Sequence, residues 1–107
     1  MPPNVQGRGP VEVTDGTFEE FVKDNRAAVV DCWAAWCYPC RVLGPVIEQL
    51  AEERAEIAFG KLNVDENPST PTRYGIMSIP TLLYFRDGKL VDKSVGVVVI
   101  LGQYGRS

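Results

Sequence analysis

The chain contains no histidine. Without an imidazole there is no Cys–His pair for hydrolysis, and most zinc sites lose a ligand type they use. Cysteine is scarce too. There are three in 107 residues, an odd number, so a fully paired disulfide framework is excluded. No stretch approaches the roughly 20 apolar residues of a membrane span. Cations are not in excess: 11 Lys and Arg stand against 14 Asp and Glu, for a net charge of −3. That argues against nucleic acid as a partner, because phosphate binding needs clustered Lys and Arg. Met1 to Pro10 has neither a basic start nor an apolar segment. No signal peptide is expected there, and the expected location is the cytoplasm, where cysteine pairs stay largely reduced or cycle.

The remaining composition is ordinary for one soluble domain, at 45% apolar and 23% charged. Residues 1–9, MPPNVQGRG, are rich in Pro and Gly and read as a flexible tail. Gly7-Arg8-Gly9 is part of that tail and is discounted as a nucleotide motif. Residues 10–107 then form one domain, with no internal repeat and no linker. Val11-Glu12-Val13 alternates as a short strand. Thr17 to Glu20 fits a capping box, with Asp15 as a rival cap, ahead of a helix running to about Asn25. Ala27 to Trp33 is a continuous apolar run, suited to a central strand covered on both faces. Arg41 to Arg54 is a helical pattern with two apolar rows, Val42/Val46/Leu50 and Leu43/Ile47/Ala51. Pro45 inside it removes one hydrogen bond and should kink the axis. Ile57 to Asn63 reads as a strand, and Pro68 to Tyr74 as a short helix. Thr81 to Arg86, Asp87-Gly88 and Lys89 to Val95 read as a hairpin. Alternating strands and helices favour a parallel sheet, to which the hairpin adds antiparallel strands.

The chemistry concentrates in Trp36-Cys37-Tyr38-Pro39-Cys40, at the junction of the apolar strand and the long helix. A sulfur at a helix start meets free N–H groups and the positive end of the helix dipole, which favours the thiolate. Cys37 is therefore the expected nucleophile. Cys40, one turn in and expected to be more buried, is the resolving thiol that releases a mixed disulfide. Pro39 suits the first turn, where its missing N–H would be unpaired. Half a zinc site is the rival reading of CxxC, but the only other cysteine is Cys32, and no metal is expected. Cys32 reads as a buried core residue.

Strand alternation puts Val29, Asp31 and Trp33 on one face and Val30 and Cys32 on the other. A carboxyl within such a run has its pKa raised by desolvation and suits acid/base work near neutral pH, unless it sits at an exposed strand end. Trp33 and Trp36 are core or surface candidates, Trp36 the better surface one. Lys61, just inside a strand, reads as a solvated edge charge.

The segment Val30 to Cys40, together with Lys61-Leu62-Asn63-Val64-Asp65, Tyr74-Gly75-Ile76, Ile79-Pro80-Thr81 and Val95-Gly96, resembles the thioredoxin family in order and spacing. The likeness covers roughly residues 10–97. It implies an α/β fold, a five-stranded mixed sheet with helices on both faces. It implies that Asp31 moves protons for Cys40, that Lys61 lies nearby and modulates it, and that Pro80 is cis. Ile79 would pair with an extended substrate through its backbone. Trp36, Gly75, Ile76, Pro80 and Gly96 would form an apolar docking surface around Cys37. The implied activity is thiol–disulfide exchange without a cofactor, on disulfide-containing proteins, with re-reduction by a separate thioredoxin reductase. The alternatives are an oxidising or isomerising member of the fold, or a binding module without turnover. The intact CxxC, Asp31 and Pro80 argue against the last.

Three positions depart from the family. Tyr38 replaces a glycine and puts redox potential and substrate range in question. Cys32 replaces an aromatic residue. The segment after Gly96 does not resemble the family's last helix. Four consecutive β-branched residues, Val97 to Ile100, and the glycines at 102 and 105 disfavour a helix. Val97 to Leu101 should extend the last strand or lie irregularly on the sheet, leaving the last helix short or missing. Poorer cover there leaves apolar surface and allows weak self-association of an otherwise monomeric protein.

Overall fold

The computed structural model describes residues 9–105. The predicted tail, Gly9 apart, lies outside the described residues. Five strands, β1 (Val11–Glu12), β2 (Ala27–Trp33), β3 (Ala58–Asn63), β4 (Thr81–Arg86) and β5 (Lys89–Val95), form one sheet in the order β1-β3-β2-β4-β5. β3 is parallel to β1 and β2, whereas β4 is antiparallel to β2 and β5, so the sheet is mixed. Three α-helices accompany it: α1 (Phe18–Asp24), α2 (Tyr38–Glu53) and α3 (Ser69–Arg73). Among the described residues no helix is long and apolar enough to cross a membrane.

The central strand sits where its composition requires. Ala28 to Cys32 are all buried, and alternation divides them between two cores. Ala28, Val30 and Cys32 face Phe18, Val22, Leu83 and Phe85, with Tyr74 and Ile76 at the margin. Val29 faces Leu43, Ile47 and Ala51 of α2. Of the two apolar rows on α2 the second is buried, whereas in the first only Leu50 packs against the core and Val42 and Val46 are exposed. The sheet face reaches one strip of the helix, and among the described residues nothing buries Val42 and Val46 on the adjacent strip. α2 continues unbroken through Pro45.

Gly60 of β3 packs closely under Val13 and the Phe21 ring of α1. A Cβ there would come within 2.5 Å of Val13 Cγ2 and about 3 Å of the Phe21 ring, so the backbone contact depends on the missing side chain. The hairpin turn has Asp87 and Gly88 both at positive φ, 51° and 82°, the twist that joins two antiparallel strands through two residues.

The expected capping box does not form. Thr17 makes no side-chain bond into α1; its hydroxyl instead accepts from Thr14 N at 2.9 Å. Asp15, the rival cap, serves another helix. Its carboxylate accepts from Ser69 N, Thr70 N and Thr70 Oγ1 at 2.8–3.0 Å, closing the N-terminus of α3 across 54 residues of sequence. Burial raises the Asp15 pKa, but the bonds from Thr70 and Ser69 outweigh it and hold the carboxyl below its usual range.

After β5 the chain does not extend the strand and forms no regular α-helix. It crosses the α2 face of the sheet irregularly and ends in a 3₁₀ turn, Gly102–Tyr104. Side chains strap it down. Ile100 N donates to Tyr84 Oη at 3.0 Å, and Ser94 Oγ donates to Val98 O at 3.1 Å. Tyr104 Oη lies 3.0 Å from Ala28 O and 2.9 Å from Phe85 O, two residues paired across β2 and β4. Val99, Leu101 and Tyr104 pack on the α2-side core, while Val97, Val98 and Ile100 stay partly in solvent. Tyr104→Phe removes the proton shared by these carbonyls and should lower unfolding free energy by about 1–2 kcal/mol. Urea unfolding measures this, and an unchanged midpoint would show that the Tyr104 hydroxyl contributes no hydrogen-bond stability.

Candidate active site

β2 ends in a turn that delivers Cys37 to the start of α2. Cys37 N donates to Ala34 O at 3.2 Å, and Cys37 is the helix N-cap with extended backbone, φ −90° and ψ 111°. Its Sγ accepts from Cys40 N at 3.2 Å. The helix thus aims an otherwise unpaired N–H at this sulfur, the arrangement that lowers a thiol pKa. Pro39 occupies the first turn. Cys37 and Cys40 are joined as a disulfide with Cα atoms 5.3 Å apart. Both are 4% exposed, so the expectation that Cys40 is the more buried does not hold in the disulfide form. What separates the two sulfurs is their place on the helix. Cys32 is buried and free. Burial, then the charge of Asp31, pushes its thiol up to about 12, which leaves it unreactive.

Asp31 is not at an exposed strand end. It is 1% exposed, and neither carboxyl oxygen has a hydrogen-bond partner among the described residues. Burial pushes its pKa up from 3.8 to about 6, against the opposing charge of Lys61. Lys61 is Asp31's register partner on β3, and β3 is an internal strand, so the solvated-charge reading gives way to proximity. Lys61 Nζ stands 4.5 Å from the Trp33 ring centroid, a cation–π contact that holds the ammonium beside β2.

Of the remaining predicted residues, Ile79 packs against the cysteine pair. Trp36 is 69% exposed, and its Nε1 donates to Asp65 Oδ2 at 2.9 Å. Tyr38 is exposed. The Ile79–Pro80 peptide is cis, and Ile79 O lies 3.7 Å from Cys37 Sγ. Gly96, at φ 92°, donates its N–H to Pro80 O at 2.8 Å, so the end of β5 is tied to the same loop. Gly75, at φ 63°, turns the chain from α3 into that loop. Ile76 and Ile79 line an apolar groove of about 450 Å³ together with Trp36, Val64, Pro71, Met77 and Ser78. Sequence reading missed Val64, Pro71, Met77 and Ser78. Met77 and Ser78 lie within the Gly75–Pro80 loop, which was the available signal. Among the described residues no three His, Cys, Asp or Glu side chains cluster to hold a metal.

The thioredoxin family profile matches residues 9–100. Thioredoxin 2 of Chlorobaculum tepidum is 55% identical over 89 residues, covering 81% of this chain and 82% of that protein. A Staphylococcus aureus thioredoxin is 52% identical over 89 residues, covering 80% and 83%. Among solved structures, a point mutant of thioredoxin from Halobacterium salinarum superposes with a TM-score of 0.81 at 36% identity, covering 87% of this chain and 82% of that one. A cysteine pair at a helix start in this sheet, within a chain half identical to such proteins, has one assignment: the chain belongs to the thioredoxin family and is a thiol–disulfide oxidoreductase.

Proposed function

We propose that the chain works as a cytoplasmic reductant of protein disulfides, cycling Cys37 and Cys40 between dithiol and disulfide. The observation that carries this reading is the Cys37 sulfur at the N-cap of α2, accepting the Cys40 N–H at 3.2 Å. In the dithiol state that N–H and the helix dipole stabilise the Cys37 thiolate. The thiolate attacks one sulfur of a target disulfide. A mixed disulfide forms and the first target thiolate leaves. Asp31 takes the proton of Cys40, the Cys40 thiolate attacks Cys37 Sγ, and the second target thiolate leaves. The target gains two electrons and the protein becomes the disulfide seen in the structure. A pKa of about 6 gives Asp31 a mostly ionised carboxyl near neutral pH that still binds protons readily. Lys61 modulates that value.

Trp36, Gly75, Ile76, Pro80 and Gly96 supply the docking surface, and the backbone of Ile79 pairs with an extended target segment. Tyr38 and Pro39, between the two cysteines, modulate the potential and substrate range of the pair. A separate thioredoxin reductase restores the dithiol. The protein acts as a monomer with weak self-association through Val97, Val98 and Ile100.

Equilibration against glutathione buffers of fixed ratio tests the direction of electron flow. The expected result is a dithiol at a cytosolic ratio. A pair that remains disulfide there would replace this reading with the oxidising one.

A further inference from the structure

Among the described residues, one sulfur-bearing side chain stands open to solvent in the disulfide form. Cys37 and Cys40 are bonded to each other, and Cys32 is 0% exposed. Met77 is 94% exposed. The chain's only other methionine is Met1. A thioether in this position is accessible to oxidants that a buried thiol escapes.

The place of Met77 gives its oxidation a consequence. It forms part of the apolar groove wall with Trp36, Ile76 and Ile79, two residues before the Ile79 carbonyl that lies 3.7 Å from Cys37 Sγ. The backbone on either side is fixed. Ile76 N donates to Pro71 O at 2.9 Å, and Ser78 O accepts from Thr81 Oγ1 at 2.6 Å. The loop therefore holds its course, and a change in side-chain polarity falls on the groove itself. Thioethers adapt their shape to irregular apolar partners; sulfoxides are polar and lose that contact.

We propose that Met77 is a modification site, at which peroxide forms the sulfoxide and so weakens docking of target segments with apolar residues beside the cysteine. The step balances. The peroxide O–O bond breaks, one oxygen bonds to the Met77 sulfur, and the other leaves as water after taking a proton. The sulfur loses two electrons and the peroxide gains them. Reduced Cys37 and Cys40 would consume peroxide first by closing their own disulfide, so the modification belongs to excess oxidant. A methionine sulfoxide reductase reverses it. The proposal rests on the docking reading of this groove.

The test treats the disulfide form with hydrogen peroxide and locates added oxygen by peptide mass spectrometry. The protein is then reduced with a dithiol that leaves sulfoxides intact. Turnover is measured with a disulfide-bonded peptide carrying apolar flanks and with a small aromatic disulfide that does not fill the groove. Oxygen should appear on Met77, with KM for the peptide raised about tenfold, equivalent to about 1.4 kcal/mol. The rate with the small disulfide should stay unchanged, and the KM of Met77→Leu should not respond to peroxide. Oxygen on Met77 without a KM change overturns the proposal, as does an equal KM rise in peroxide-treated Met77→Leu. Met77→Gln separates the two layers. If it raises KM but peroxide leaves Met77 unmodified, the docking reading stands and the modification fails. If it leaves KM unchanged, this wall does not dock targets and both fail.

Discussion

Cys37→Ser should abolish disulfide reduction, and Cys40→Ser should turn the protein into a trap that accumulates mixed disulfides. The two cysteines are equally buried as a disulfide, so exposure does not predict this difference. Helix position does. Only Cys37 stands at the N-cap, with the Cys40 N–H directed at its sulfur, and its sulfur lies 3.7 Å from the Ile79 carbonyl. A serine there offers an alkoxide far too basic to form, and the first attack is lost. With Cys40→Ser the first attack proceeds, but nothing releases the bound target. Non-reducing electrophoresis after incubation with a disulfide-bonded protein reads both outcomes. Trapping by Cys37→Ser and none by Cys40→Ser would reverse the assigned roles.

The strands and long helix were legible because their signals are local. The seven-residue apolar run that became β2, the Asp-Gly turn and the 3.6-residue rows of α2 are each set by neighbours in sequence. Contacts that close across the fold were not. Asp15 reads as a cap for the helix just after it, yet it caps α3 from 54 residues away, because the Thr14–Thr17 turn satisfies itself. Val42 and Val46 fit an apolar row but stay exposed, since periodicity reports a helix face and not what lies opposite it. Lys61 by itself is ambiguous in sequence; the strand order places it inside the sheet, opposite Asp31, as the family resemblance implied. For residues 97–101 composition disfavoured a helix, but anchorage through Tyr84, Ser94 and Tyr104 depended on hydroxyls whose direction the sequence does not reveal.

Asp31→Asn should make the protein more stable near neutral pH while slowing its turnover. The carboxyl is 1% exposed without a hydrogen-bond partner, and burial raises its pKa from 3.8 to about 6, with Lys61 opposing. The native state therefore binds more protons than the unfolded chain between about pH 4 and pH 6, so stability falls as pH rises through that window. The loss is complete above the folded pKa, where the shift corresponds to about 3 kcal/mol. Below the unfolded pKa both states are protonated and the penalty is absent. Asn removes the charge but keeps a buried polar group much like the neutral acid, so the variant should gain up to about 3 kcal/mol at about pH 8 and almost nothing at about pH 4. Urea unfolding across this range measures the difference. A constant gain at every pH would mean that packing, not ionisation, is responsible. Lys61→Met supplies the complementary arm: without the opposing ammonium the wild-type carboxyl should titrate higher still, and the window should move upward in pH. The kinetic arm reads the same proton. If Asp31 accepts it from Cys40, the Asn variant should accumulate mixed disulfide during turnover, with its attack by Cys37 unimpaired. Stability rising as expected while resolution keeps its wild-type rate would leave Asp31 a buried charge with no part in the transfer.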